Sequence, residues 1–325
     1  MQGGAEMQAT EIVRALRQIG VDAKFLEFDN ALENPEIVHL FQDSPAHMPV
    51  IEFIPPTVPV VLSSITPGAN FFGLHGIIWR TAEKLASLVR IKTCPGIFQK
   101  VVDRADRVIV SHSTQKQFYL KNYRIPTENI KIIPNGVRAE FFQSCFEKKQ
   151  NSVAFLGAII PRKNPLRLAQ VLVRLGIPGV FAGPAQADAT NYFQSFLEIV
   201  RQSNGLLKYY GKIGYGSSEH LEILRNSKVF CLPSFAEVQS LAALEASASD
   251  CIVVLGDRPY ARNEPFDKSI TVDPASLESI EFGIRRALGC ESNSRLDPAI
   301  YSWGAVAAQI NMVYKTCLSE RARGK

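Results

Sequence analysis

The sequence predicts an α/β protein made of two Rossmann-like, doubly wound domains. Three observations lead there. Short β-rich runs alternate with helical patterns from one end of the chain to the other. Many of these runs are continuously apolar, as strands buried on both faces of a parallel sheet are. The length of 325 residues exceeds one ordinary core and suits two domains of roughly 100–200 residues each.

The first element is a helix. Ala5, Ala9, Ile12, Leu16 and Ile19 recur at helical spacing, and Gly20 sits at the expected C-terminal cap. Candidate strands follow at "DAKFLEF", "EIVHLFQ", "VPVVLSSI", "RVIVSH" and "IKIIPNGV". In the second half they are "SVAFLGAI", "GVFAGPA", "LKYYGKI", "VFCLPS", "CIVVLGD" and "SITVDP". Strands alternating with helical segments read as βαβ units. The most polar connection is "FFQSCFEKKQNS", residues 141–152. It sets the expected domains at 1–145 and 150–300. A long amphipathic helix over 301–325 is placed to cap either domain or cross back to the first.

Composition narrows the class. No apolar run approaches the ~20 residues of a spanning helix, and the N-terminus lacks a signal-peptide pattern, so a cytoplasmic protein is expected. The net charge of +5 is mild, and no Lys/Arg block interleaves with aromatics. That excludes a nucleic-acid groove and leaves room for loose contact with the anionic inner face of a membrane. Six widely spaced cysteines without a Cys-x-x-Cys pair read as free thiols in a reducing compartment.

Open α/β sheets bind ligands beyond the carboxyl ends of their strands, and chemistry-bearing residues fall there. In "VFCLPSFAEVQSLAALEASASD" a strand ends at Pro233-Ser234, a loop carries Glu237, and a helix carries Glu245. Two helical turns span about seven residues, so the two carboxylates are expected roughly on one face. Val238 to Leu241, with Ser240 among them, would offer free N–H groups to a phosphate or to sugar oxygens. The bland reading stays open: Glu237 as a first-turn acid and Glu245 as a solvated surface residue. Against it, Glu245 lies among apolar and small neighbours, where a carboxylate needs a partner.

In "FLGAIIPRKNPLRL" a strand ends at Gly157, Arg162 and Lys163 follow, and Pro165 opens a helix. Two cations beside a helix N-terminus form an anion site, unless they are plain solvated charges. Asn135-Gly136 in "KIIPNGV" reads as a tight-turn pair.

Taken in order, these stretches resemble the retaining glycosyltransferases of the GT-B fold, family 4 (glycosyl transferases group 1). The resemblance runs through Gly3-Gly4-Ala5-Glu6, "IIPNGV", "FLGAIIPRKN", "YYGKIG", "PSFAE", the Glu-x7-Glu pair and Trp303. It implies that the second domain binds a nucleotide-sugar co-substrate and the first takes a glycan, lipid or small-molecule acceptor around residues 43–95. It further implies that Glu245 bonds the ribose, Glu237 faces the donor sugar, and Lys163 neutralises the departing diphosphate. Gly157, Arg162, Ser240 and Leu241 would complete the donor site, with Gly3 and Gly4 approaching from the opposite wall. No cofactor or metal is implied, and no Asp-x-Asp motif is present.

The chain departs from the family pattern at Ala158 (usually arginine), at Ser240 and Asp250 (usually glycines), and at Ile65-Thr66, where many members carry histidine. His75 and His39 receive no role. The Gly-Gly pair normally follows a first strand, which is expected to be missing here. A non-catalytic or impaired member that binds a nucleotide sugar or a protein is the competing expectation.

Overall fold

The computed structural model describes residues 4–26, 35–42, 44–65, 94–143, 149–186, 189–291 and 296–323. Gly3, His75, Cys145 and most of the expected acceptor region lie outside them. The chain forms two compact units: Gly136–Trp303, and Gln2–Asn135 together with Gly304–Lys325. The division falls at Asn135/Gly136, ahead of the polar stretch 141–152. Phe141 explains the shift, because its 1% exposed side chain is already packed in the core of the second unit.

In the first unit the helix Gly4–Gln18 buries Ala9, Ile12 and Leu16 and ends at Gly20, whose φ of +85° only glycine adopts freely. Four parallel strands follow in the order β1 (Val38–Phe41), β2 (Val60–Ser63), β3 (Arg107–Val110) and β4 (Ile130–Ile132). The expected strand "DAKFLEF" does not form over its described part. Val21 N–H bonds back to Leu16 O, and Phe25 and Leu26 are exposed with no described strand beside them.

The helix Trp303–Ala322 joins this unit from Gly304 onward. Arg107 Nη2 donates to both carboxylate oxygens of Glu320 at 2.6 Å, and Arg321 Nη2 donates to Asp106 Oδ1 at 2.6 Å. The other oxygen of Asp106 accepts from Val60 N–H at 2.8 Å, so this ion cluster also caps a strand. Deeper in, Tyr314 Oη lies 2.6 Å from His39 Nδ1, and His39 Nε2 lies 2.8 Å from Ser63 Oγ. Burial drives the His39 imidazole down to a pKa of about 3.

The second unit holds six parallel strands: β5 (Gln150–Leu156), β6 (Gly179–Ala182), β7 (Leu207–Tyr209), β8 (Ser227–Leu232), β9 (Ile252–Gly256) and β10 (Ile270–Val272). Their order across the sheet is β7-β6-β5-β8-β9-β10. Counted within the unit this is 3-2-1-4-5-6, the doubly wound Rossmann arrangement. Phe155, Phe181 and Phe196 meet in the core at ring distances of 5.7 and 5.1 Å, each fully buried ring contributing about 1.5–3 kcal/mol. The helices Pro165–Leu175, Thr190–Gln202 and Leu277–Gly289 pack side by side on this sheet.

Val137 and Ser302 form a parallel bridge beside the unit boundary, with Val137 N–H donating to Tyr301 O at 2.7 Å and Trp303 N–H to Val137 O at 3.2 Å. Asn135-Gly136 is no tight turn. Gly136 is required because Trp303 lies against it: a Cβ there would sit 2.5 Å from the indole ring.

Candidate functional site

The order of the second sheet reverses between β5 and β8, and the crevice beyond their carboxyl ends is where doubly wound sheets bind ligands. β5 runs out at Gly157 and β8 at Pro233-Ser234. Gly183, after β6, packs against the Gly157 carbonyl so closely that any side chain would overlap it. Gly157 has a φ of +156°, and a Cβ there would stand 2.9 Å from Lys163 Cδ. The side chain of Lys163 therefore lies across the Gly157 backbone.

Asn164 fixes the start of the next helix. It takes a left-handed conformation (φ +64°), which asparagine tolerates. Its buried Nδ2 donates to Pro233 O at 3.2 Å and Pro274 O at 2.8 Å. Phe235 N–H donates to Arg162 O at 2.8 Å, and Arg162 Nη1 donates to Ala236 O. The two loops after β5 and β8 are thus joined to each other by backbone and side-chain hydrogen bonds.

Between them sits Glu237. Its Oε1 is 3.0 Å from Lys163 Nζ, 3.4 Å from Arg162 Nη1 and accepts from Ser234 Oγ at 3.1 Å. The Lys163 and Glu237 side chains are only 17% and 11% exposed, while Arg162 is 48% exposed. Lys163 is therefore no solvated loop charge. The Tyr260 hydroxyl behind β8 is pushed well above the usual phenol range, first by burial and then by Glu237.

The helix begins only at Leu241, so Glu237 lies in the loop and shares no helical face with Glu245. It is not a first-turn acid either. Ser240 is the N-cap, accepting from Ala243 N–H at 3.2 Å. Leu241 and Ala242 open the helix, where N–H groups have no acceptor within the helix itself.

Glu245 is 2% exposed, which removes the solvated-surface reading. Its Oε1 has no hydrogen-bond partner among the described residues. Its Oε2 lies 3.4 Å from Nε2 of His220, itself 6% exposed. His220 escaped the sequence reading. The available signal was its position three residues after the cap Ser217, on the same inward face as Ile223 and Leu224.

The structure therefore joins Gly157, Arg162, Lys163 and Glu237 by direct contacts, and places Ser240, Leu241 and Glu245 at the cap and along the helix that follows in the same unit. Gly4, exposed, opens the first helix of the other unit. Fixed cations and unfilled N–H groups beside a carboxylate can hold an anion while facing a group that gains positive charge. Among the described residues no three His, Cys, Asp or Glu side chains gather as a metal site.

Residues 137–302 match the family model of glycosyl transferases group 1. That stretch is half of the chain, and the chain belongs to this family. It is 23% identical over 243 residues to an MMP alpha-(1->4)-mannosyltransferase of Mycolicibacterium hassiacum, covering 69% of this chain and 57% of that protein. It is 30% identical over 183 residues to the UDP-Gal:alpha-D-GlcNAc-diphosphoundecaprenol alpha-1,3-galactosyltransferase of Escherichia coli, covering 49% and 45%. The chain thus spans about half the length of these relatives. Among solved structures, sucrose-phosphate synthase from Thermosynechococcus elongatus superposes with a TM-score of 0.71 at 15% identity, over 98% of this chain and 94% of that one. The α/β architecture with parallel sheets in two units is that of GT-B glycosyltransferases.

Proposed function

We propose that the protein is a glycosyltransferase carrying a hexosyl group from a nucleotide-sugar donor to an acceptor hydroxyl, with retention and without a metal ion. The observation that carries this is Lys163 and Arg162 paired with Glu237 at the order reversal of the sheet. Both relatives named above are glycosyltransferases, and one is named for a UDP-linked sugar. Retention rests on the resemblance of the Glu-x7-Glu motif to family 4.

In the reaction the anomeric C–O bond to the diphosphate breaks and a new one forms to the acceptor oxygen, whose proton passes to the leaving phosphate. Lys163 neutralises the charge that builds on the diphosphate, and Arg162 supplies the second cation in place of the arginine that Ala158 lacks. Leu241 and its neighbours add N–H dipoles. Glu237 faces the donor sugar as its anomeric carbon becomes cationic, and Glu245 accepts from the ribose. The acceptor is a glycan, lipid or small molecule, met in the cytoplasm or at the inner membrane face.

The test is a panel of UDP-, GDP- and ADP-sugars with crude lipid and glycan acceptors, following nucleotide release and binding together. Release with one donor, and loss of nucleotide binding in Glu245→Ala, is expected. Binding without release on every donor would overturn the transferase reading in favour of a non-catalytic member.

A further inference from the structure

Glu245 and His220 form a buried pair whose hydrogen bonding is incomplete. His220 Nδ1 accepts from Gly216 N–H at 3.2 Å, which leaves the ring proton on Nε2. That Nε2 stands 3.4 Å from Glu245 Oε2, yet neither it nor Glu245 Oε1 completes a hydrogen bond among the described residues. Both residues thus carry a buried polar atom left unsatisfied, which is costly to keep, and they stand on different helices. The imidazole is held by ring contacts with Phe141 at 5.0 Å and Tyr215 at 5.9 Å. Tyr215 is in turn covered by the Arg138 guanidinium at 4.5 Å.

We propose that His220 is a positioning residue for Glu245. A ligand hydroxyl donating to Oε1 settles the carboxyl group, and Nε2–H then donates to Oε2, so that the imidazole fixes the plane in which the ribose is read. Hydrogen bonds of this kind are often long until the ligand is in place. Through Gly216, the same imidazole ties the loop after β7 to that carboxyl. Ribose recognition then depends on a residue that never touches the ligand. This inference rests on the reading of Glu245 as the ribose contact.

The experiment compares His220→Asn with His220→Gln. Asparagine keeps an acceptor near Nδ1 for Gly216 N–H but does not reach Glu245, whereas glutamine places an amide N–H near the position of Nε2. UDP, GDP and ADP are titrated into the wild type, and the one that binds is compared with its 2′,3′-dideoxy form. Wild type and His220→Gln should prefer the ribonucleotide by about tenfold or more. His220→Asn should lose most of that preference while binding the dideoxy form as the wild type does. If His220→Asn keeps the wild-type preference, or weakens for both ligands alike, the proposal is wrong. Should His220→Asn fail to fold, His220→Ser, which likewise cannot reach Glu245, takes its place under the same two outcomes. The underlying reading fails separately, if no nucleotide binds the wild type or if Glu245→Gln leaves the preference untouched.

Discussion

Trp303 lies on Gly136, the last and first residues of the second unit pressed together. The place of a Cβ at 136 is 2.5 Å from the indole ring and 2.8 Å from the Trp303 Cα. Backbone cannot swing aside as a flexible side chain can. Gly136→Ala is expected to cost about 1–3 kcal/mol as overpacking, read as a lowered urea midpoint at unchanged slope. An unchanged midpoint would mean that this contact gives way easily.

A second pair of glycines separates steric need from backbone freedom. At Gly183 a Cβ would meet the Gly157 carbonyl, whereas at Gly176 (φ +65°) it meets nothing within 4 Å. Gly176→Ala should cost only left-handed strain, about 1–2 kcal/mol. Gly183→Ala should cost more and also weaken nucleotide binding, because Lys163 rests on Gly157. Equal effects of the two on melting and binding would contradict this.

The ion pair of Lys163 and Glu237 predicts opposite signatures for its two members. Lys163→Ala should lower turnover by about 10²–10³-fold, the loss typical of removing one preorganised donor from a transition state. Glu237→Gln removes a negative charge beside the cations, so nucleoside diphosphate binding should hold or tighten while transfer slows. Titration and initial rates on the same preparations check both. Weakened binding in Glu237→Gln would show that the carboxylate mainly holds Lys163 in place.

His39 makes the stability of the first unit depend on pH. Its folded pKa, about 3, lies below the ordinary 6.5 because burial disfavours the charged ring. The unfolded chain therefore takes up a proton that the folded one refuses. The stabilisation is present above pH 6.5 and is lost as pH falls toward 3, at up to about 1.4 kcal/mol per pH unit. His39→Gln should flatten that part of the curve, measured as unfolding midpoints between pH 7 and 4.

What the sequence showed and hid follows from range. The apolar runs of β5, β8 and β9 declared themselves because each is buried on both faces, and Pro165 and Gly20 marked helix ends by local chemistry. "DAKFLEF" carries the same local signal but has no described strand beside it, and strand pairing is not a local property. Glu237 and Lys163 were legible as residues after strands. That they meet depends on the cross-links from Asn164 and Arg162 to the other loop, which join positions about 70 residues apart. His220 offers no local pattern beyond its place three residues after the cap Ser217. Only packing shows that its ring is enclosed against Glu245.

The two units also differ in how they are cut from the chain. Gly136–Trp303 is one continuous stretch, while its neighbour needs both Gln2–Asn135 and Gly304–Lys325. During synthesis on the ribosome, the stretch holding Glu237 and Glu245 has emerged before the helix Trp303–Ala322 does. The unit translated first must wait for Tyr314 and Glu320 to leave the exit tunnel, so the order of translation is not the order of completion.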